Sequence, residues 1–176
     1  MKMSNWWNKL VYRLWAPIYD ATINRVFVAG RTQAIRMLSP EAGERILLVG
    51  VGTGADAALL PAGVRAVGLD LSQDMLSVAR RKIPDCRASI SLVQADAQVM
   101  PFCAEAFDAL VLNLILSVVP DGRLCLESAL RVLRPGGRVV IFDKFLPESN
   151  GLVPLYQFFN IFTSLPGTDI TAAFRR

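Results

Sequence analysis

Apolar and polar positions along the 176-residue chain fall into two kinds of stretch that alternate. The first kind is short and mainly apolar: Ile46 to Val49, Ala66 to Asp70, Ile90 to Asp96, Phe107 to Asn113 and Arg138 to Phe145. Runs of this length, rich in aliphatic residues and bounded by turn residues, predict strands buried in a parallel sheet. The second kind places apolar residues three or four apart, the repeat of an amphipathic helix. It covers Val26, Phe27, Ile35 and Leu38, then Met75, Leu76 and Ala79 behind Ser72 as N-cap, then Leu124 to Leu133. A short helix near Asp56–Leu60 is expected to stop at Pro61. Such alternation predicts an α/β, Rossmann-like, doubly wound and mainly parallel sheet with helices on both faces, whose ligands lie at the carboxyl ends of the strands. Gly50 to Gly54, Asp70, Asp96 and Asn113 all fall at those ends, with Ile46–Val49 as the central strand.

The two chain ends depart from this alternation. Residues 1–23 carry Trp6, Trp7, Leu10, Val11, Leu14, Trp15 and Ile18 at helical spacing, with Lys2, Lys9 and Arg13 between them. The charges break any signal-peptide core, and the stretch is too short to span a bilayer. Two readings stay open: a helix lying on a membrane surface through residues 1–18, or a helix that caps a cleft. At the other end Leu152 to Leu165 is apolar but below transmembrane length, which predicts a buried or interfacial helix. The expected organisation is an N-terminal amphipathic helix over 1–23, one ligand-binding domain over 24–145 and an apolar helix and tail over 146–176.

Composition narrows the chemistry. The chain has no histidine, which excludes Ser-His and Cys-His nucleophiles and argues against a metal site. Its net charge of +4 is spread in scattered pairs such as Arg80-Arg81, without an aromatic-interleaved basic stripe, so no nucleic-acid partner is expected. Three widely spaced cysteines, Cys86, Cys103 and Cys125, in apolar surroundings predict reduced core thiols and a cytoplasmic location, with a peripheral place on the inner face of a membrane as the open alternative.

The candidate chemistry is concentrated after the first strand. Glycines at 50, 52 and 54 remove three Cβ atoms from one turn, so a bound molecule can lie against bare peptide groups. Asp70 closes the second strand at the spacing at which nucleotide-binding α/β units place a ribose-binding acid. Gly50-x-Gly52-x-x-Ala55 keeps a nicotinamide-dependent dehydrogenase among the alternatives. Later segments point elsewhere. Val49-Gly50-Val51-Gly52-Thr53-Gly54, Gly68-Leu69-Asp70-Leu71-Ser72, Asp96-Ala97-Gln98-Val99-Met100-Pro101-Phe102, Phe107-Asp108 and Leu133-Arg134-Pro135-Gly136-Gly137 occur in this order. As a set they resemble the class I S-adenosylmethionine-dependent methyltransferases, nearest in flavour to the quinone-biosynthesis and phosphatidylethanolamine N-methyltransferases, over roughly Tyr19 to Phe145.

The resemblance implies S-adenosylmethionine as cofactor, S-adenosylhomocysteine as product and a small-molecule or lipid-like methyl acceptor. It implies that Gly50, Val51, Gly52 and Gly54 face the methionine and ribose parts, that Asp70 takes the ribose hydroxyls, and that Leu71 and Met75 pack on adenine. Asp96 would accept from the adenine amino group, Ala97 would offer its N–H, Asn113 would line the methionine end, and Tyr19 would lid the cleft. An activated sulfonium donor makes the missing histidine consistent, and no catalytic residue is assigned. The chain departs from the family twice. Leu48 stands where the glycine-motif strand usually carries an acid, and the residues after Phe145 can supply the family's helix but not both strands of its antiparallel pair, which are expected to be missing. Those departures keep a second alternative open, a catalytically weak subunit that binds a partner or a membrane. They also predict an exposed fifth-strand edge that recruits a second copy or a partner chain.

Overall fold

The structure, a computed structural model, describes residues 24–144 and 159–163; of residues 24–26, 144 and 159–163 only the backbone is described. The elements, in chain order, are α1 (Asn24–Leu38), β1 (Arg45–Val49), a 3₁₀ turn (Ala57–Leu59), β2 (Arg65–Asp70), α2 (Gln73–Lys82), a second 3₁₀ turn (Ile83–Asp85), β3 (Ser89–Gln94), β4 (Phe107–Asn113), α3 (Gly122–Val132), β5 (Leu133–Lys144) and β6 (Phe159–Thr163). One sheet holds the strands in the order β3-β2-β1-β4-β5-β6. All pairs are parallel except β5 with β6. β1 is central, as its apolar run predicts.

The period-two alternation of the strands divides the core. Ile46, Leu48, Val111, Val140 and Phe142 face one side and meet Phe27, Ile35 and Leu38 of α1 and Leu76 of α2. Leu47, Val49, Leu110, Leu112 and Ile141 face the other and meet Cys125, Leu126, Ala129 and Val132 of α3. Helices thus cover both faces. The α1 cover is close because of one residue: a Cβ on Gly30 would stand 2.2 Å from Cζ of Phe142, so only glycine lets the helix reach β5 there. Beyond Gly30, Arg138 of β5 donates to the Leu38 carbonyl at 3.1 Å and pairs with Glu44 at 2.7 Å, tying the helix end to the strand bottoms.

Local chemistry explains the element boundaries. Ser72 caps α2, its Oγ accepting from Met75 N–H at 3.3 Å, and Asp121 caps α3, accepting from Leu124 N–H at 3.0 Å. Asp108 accepts from the Arg45 N–H at 2.6 Å and pairs with Arg134 at 2.6 Å, so the Phe107-Asp108 and Arg134 motif positions clamp strand starts, at the end of the sheet away from the strand carboxyl ends. The motif residues Arg134–Gly137, ahead of the strand expected from Arg138, lie inside the span of β5 as an irregularity: Phe107 pairs with Leu133 and Ala109 with Arg138, so four residues of β5 stand opposite Asp108 alone.

Three expectations are corrected. Over Phe159–Thr163 the chain is a strand, not part of a Leu152–Leu165 helix; Phe, Ile and Thr favour the pleated surface that β5 offers, with Asn160 opposite Asp143 and Ile161 opposite Phe142. Among the described residues one antiparallel strand is therefore present, and the sheet edge lies at β6 rather than at β5. The thiols are not all in the core: Cys125 is buried, Cys86 is intermediate, and Cys103 is exposed in the turn before β4. The expected helix over residues 1–23 lies outside the described residues. No helix among the described residues is long and apolar enough to cross a membrane.

Candidate functional site

The strand order reverses between β1 and β4, and the crevice at such a switch point is where a doubly wound sheet accepts ligands. A cleft opens there, with about 940 Å³ of space that includes open solvent, lined by the glycine loop, the ends of β2 and β4 and the loop after β3.

The glycine loop is built for close approach. Val51 N–H donates to the Leu69 carbonyl at 2.9 Å and Gly54 N–H to the Val51 carbonyl at 3.0 Å, which curls the chain over the end of β2. Gly52 has φ +55°, and a Cβ placed on it would find nothing nearer than the Gly50 carbonyl at 4.0 Å. The space a side chain would take is the cleft itself. Gly54 serves a different purpose, its Cα lying against Ala79 of α2, where an added Cβ would be 3.4 Å from the Ala79 Cβ.

Asp70, half-buried at the end of β2, is the charged pivot of this region. Its Oδ2 accepts from Gly52 N–H at 2.8 Å and its Oδ1 from Ser72 N–H at 2.9 Å. Burial pushes its carboxyl above the ordinary carboxylate range, opposed by the N–H groups of Ser72, Gly52 and Leu71. Each ionised oxygen has a second acceptor position, so a ligand diol can be held without breaking either backbone bond. Asp96 is fixed locally, accepting from Gln98 N–H at 2.9 Å and from the Gln98 amide at 3.0 Å.

The floor of the cleft carries a buried polar group of three. Arg31 of α1 donates through Nη1 to Asp56 Oδ2 at 2.6 Å, and Asn113 at the end of β4 donates through Nδ2 to Asp56 Oδ1 at 2.8 Å. Their exposures are 7%, 2% and 3%, and Arg31 and Asn113 line the cleft. Leu48, the position without its acid, is buried in the apolar cluster with Phe27, Leu38 and Phe142.

The structure brings Gly50, Val51, Gly52, Asp70, Leu71, Met75, Asp96, Ala97 and Asn113 to the walls of this one cleft. Gly54 is placed behind the loop, and Tyr19 lies outside the described residues. Sequence reasoning missed Arg31, Thr53, Ser72 and the apolar wall Ile115, Val118 and Val119. A signal for Arg31 was present: it stands four residues after Phe27 and four before Ile35, in line with the buried stripe of α1. Among the described lining residues the titratable ones are Arg31, Asp70 and Asp96.

Comparison with known proteins places this geometry. A family model described as a methyltransferase domain matches residues 47–141. The chain is 42% identical over 145 residues to a demethylmenaquinone methyltransferase of Clavibacter sepedonicus, covering 79% of this chain and 57% of that protein. It is 35% identical over 143 residues to a phosphatidylethanolamine N-methyltransferase of Cereibacter sphaeroides, covering 80% of this chain and 70% of that one. Among solved structures, a candidate methyltransferase of Bacillus halodurans superposes with a TM-score of 0.64 at 28% identity, over 69% of this chain and 53% of its own. The chain thus spans little more than half the length of the demethylmenaquinone methyltransferase it matches. The nicotinamide dehydrogenase alternative falls with these matches, and the chain belongs to the methyltransferase-domain family whose cofactor is S-adenosylmethionine.

Proposed function

We propose that this chain transfers the methyl group of S-adenosylmethionine to a lipid-soluble acceptor of the quinone or phospholipid kind. The observation that carries the reading is the cleft at the β1/β4 switch point, in which Asp70, the bare peptide of Gly52 and a polar floor face one space. These residues fit the cofactor: a carboxylate with spare acceptor positions suits a ribose diol, and Leu71 and Met75 give an apolar wall for adenine. Asp96 and the Ala97 N–H suit the adenine edge, and Asn113 the methionine end. Tyr19 would lid the cleft, as the resemblance of Tyr19-Asp20 to the family's Tyr-Asp implies.

When bound, the cofactor supplies a sulfonium carbon already activated for displacement. What remains for the protein is to hold and align, and alignment alone supplies roughly 7–11 kcal/mol of such a barrier. The acceptor class draws on the two relatives, one named for a demethylated menaquinone and one for phosphatidylethanolamine, and on the tryptophan-rich, basic pattern of residues 1–18, which suits a membrane surface. The edge at β6 is the place where a second copy or a partner chain would add a strand.

Incubation with methyl-labelled S-adenosylmethionine and vesicles containing either a demethylated quinone or phosphatidylethanolamine tests the reading, with label expected in one of the two lipids. A second reading, a methyltransferase fold retained as a weakly catalytic or membrane-bound partner, draws on the apolar Leu48. Tight S-adenosylhomocysteine binding without label transfer to any lipid would favour it.

A further inference from the structure

Two buried side-chain atoms at the cleft floor, Arg31 Nε and Asn113 Oδ1, have no hydrogen-bond partner among the described residues. They are opposite in character: Nε–H is a charged donor and Oδ1 a neutral acceptor. Their orientation is settled by Asp56, which takes Arg31 Nη1 on Oδ2 and Asn113 Nδ2 on Oδ1. Because the Asn113 amide spends its nitrogen on a carboxylate, its oxygen has to point elsewhere, so the amide orientation is fixed by chemistry. Arg31 and Asp56 cancel in charge at 2.6 Å, leaving a neutral receptor with one unmet donor and one unmet acceptor. Buried polar groups are almost always paired, so two such orphans on side chains bound to the same carboxylate mark a place where a ligand supplies both partners.

The ligand chemistry with that pair of needs is an α-amino acid zwitterion, whose carboxylate accepts and whose ammonium donates. We propose that the Arg31–Asp56–Asn113 group holds the amino-acid end of the cofactor, with Arg31 Nε donating to the carboxylate and Asn113 Oδ1 accepting from the ammonium. Asp56 is the positioning residue that aims both. The proposal rests on the cofactor reading above and adds that the anchoring role lost at Leu48 is carried from α1 and the end of β4.

Calorimetry on the full chain with three ligands tests it: S-adenosylhomocysteine, its decarboxylated analogue, and 5′-methylthioadenosine, which keeps adenine, ribose and sulfur but has no amino-acid end. The decarboxylated analogue is expected to bind about 10- to 100-fold more weakly than S-adenosylhomocysteine. Arg31→Lys keeps a cation against Asp56 but deletes Nε–H, and it should weaken S-adenosylhomocysteine about tenfold while moving 5′-methylthioadenosine less than about twofold. Equal affinity of the unaltered chain for S-adenosylhomocysteine and its decarboxylated analogue would overturn the proposal, the orphans then being satisfied by solvent. So would an Arg31→Lys variant that loses all three ligands alike, since Arg31 would then only support the loop. If Arg31→Lys does not fold, the ligand series on the unaltered chain decides alone. Failure of the unaltered chain to bind any of the three would defeat the cofactor reading itself, a result distinct from binding all three without discrimination.

Discussion

Replacing Asp70 separates its observed role, holding two backbone N–H groups, from its proposed role as acceptor for the ribose of the cofactor. In the free protein its oxygens accept from Gly52 N–H at 2.8 Å and Ser72 N–H at 2.9 Å, so Asp70→Ala orphans two backbone donors at the glycine loop and at the start of α2. Hydrogen bonds to a charged group contribute about 1.5–3 kcal/mol each. Part of that is offset, because burial already disfavours the ionised form, as its raised pKa records. A net loss of about 1–3 kcal/mol follows, or roughly 2–12 °C in melting temperature for a chain of this size. Binding loses more: with both ribose hydroxyls deprived of a charged acceptor, S-adenosylhomocysteine should weaken by about 2–4 kcal/mol, roughly 30- to 1,000-fold. Asp70→Asn is no milder on the fold, since its NH₂ must oppose one of the two backbone N–H groups. Calorimetric titration below the melting point of each variant, with circular dichroism to show that it is folded, measures both effects. A folded Asp70→Ala chain that binds S-adenosylhomocysteine as tightly as the unaltered protein would refute the assignment of this residue to the ribose.

Further outcomes follow from neighbouring features. With ribose hydroxyls donating to ionised Asp70 as proposed, binding would favour deprotonation; affinity for S-adenosylhomocysteine should fall on acidification through the raised Asp70 pKa, and tightening in acid would contradict this. Asp56→Ala leaves Arg31 as an uncompensated buried cation and should cost about 3–5 kcal/mol in thermal or urea unfolding, whereas the triple variant Arg31→Met/Asp56→Leu/Asn113→Leu, which strands no member of the group, should be much closer to neutral on the fold. Gly30→Ala drives a methyl into the Phe142 ring and should destabilise by about 1–3 kcal/mol in urea, with α1 displaced. Cys103 is exposed and should react with a thiol reagent in the native protein, while Cys125, buried and with its pKa pushed up to about 12 by burial, Asp96 and Asp143, should react only on unfolding, as mass spectrometry of the labelled peptides would show.

The alternating strand and helix pattern was legible because each element satisfies local rules. Phe107–Asn113 emerges at the predicted bounds, and Ser72 and Asp121 cap the helices that follow them. Where the outcome depended on a distant partner, the local pattern was insufficient. Phe159–Thr163 reads as part of a broken apolar helix, and what makes it a strand is the open side of β5, which local periodicity does not carry. Cys103 illustrates the same limit, since apolar neighbours in sequence did not place it in the core; the turn before β4 put it in solvent.

The same distinction governs the site. Gly52 and Asp70 are separated by only 18 residues and joined through adjacent strands, so the strand-loop-strand spacing was enough to pair them. The polar floor is assembled from α1, the loop after β1 and the end of β4, with 25 residues between Arg31 and Asp56 and 57 between Asp56 and Asn113. In sequence each of its charges stands as a lone exception in an apolar run: Arg31 within the buried stripe of α1, and Asp56 among Ala55, Ala57 and Ala58. A charge at a core position is costly unless another one meets it, so two such exceptions in one chain already imply one another. Leu48 belongs to the same account. An acid there would lie in the cluster of Phe27, Leu38 and Phe142, on the face that α1 covers through Gly30, whereas the carboxylate at 56 sits where that helix can present Arg31 to it. Close packing of α1 on β5 and the loop position of the buried acid are therefore coupled, and loosening the first at Gly30 should weaken the Arg31–Asp56 contact without touching a single cleft residue.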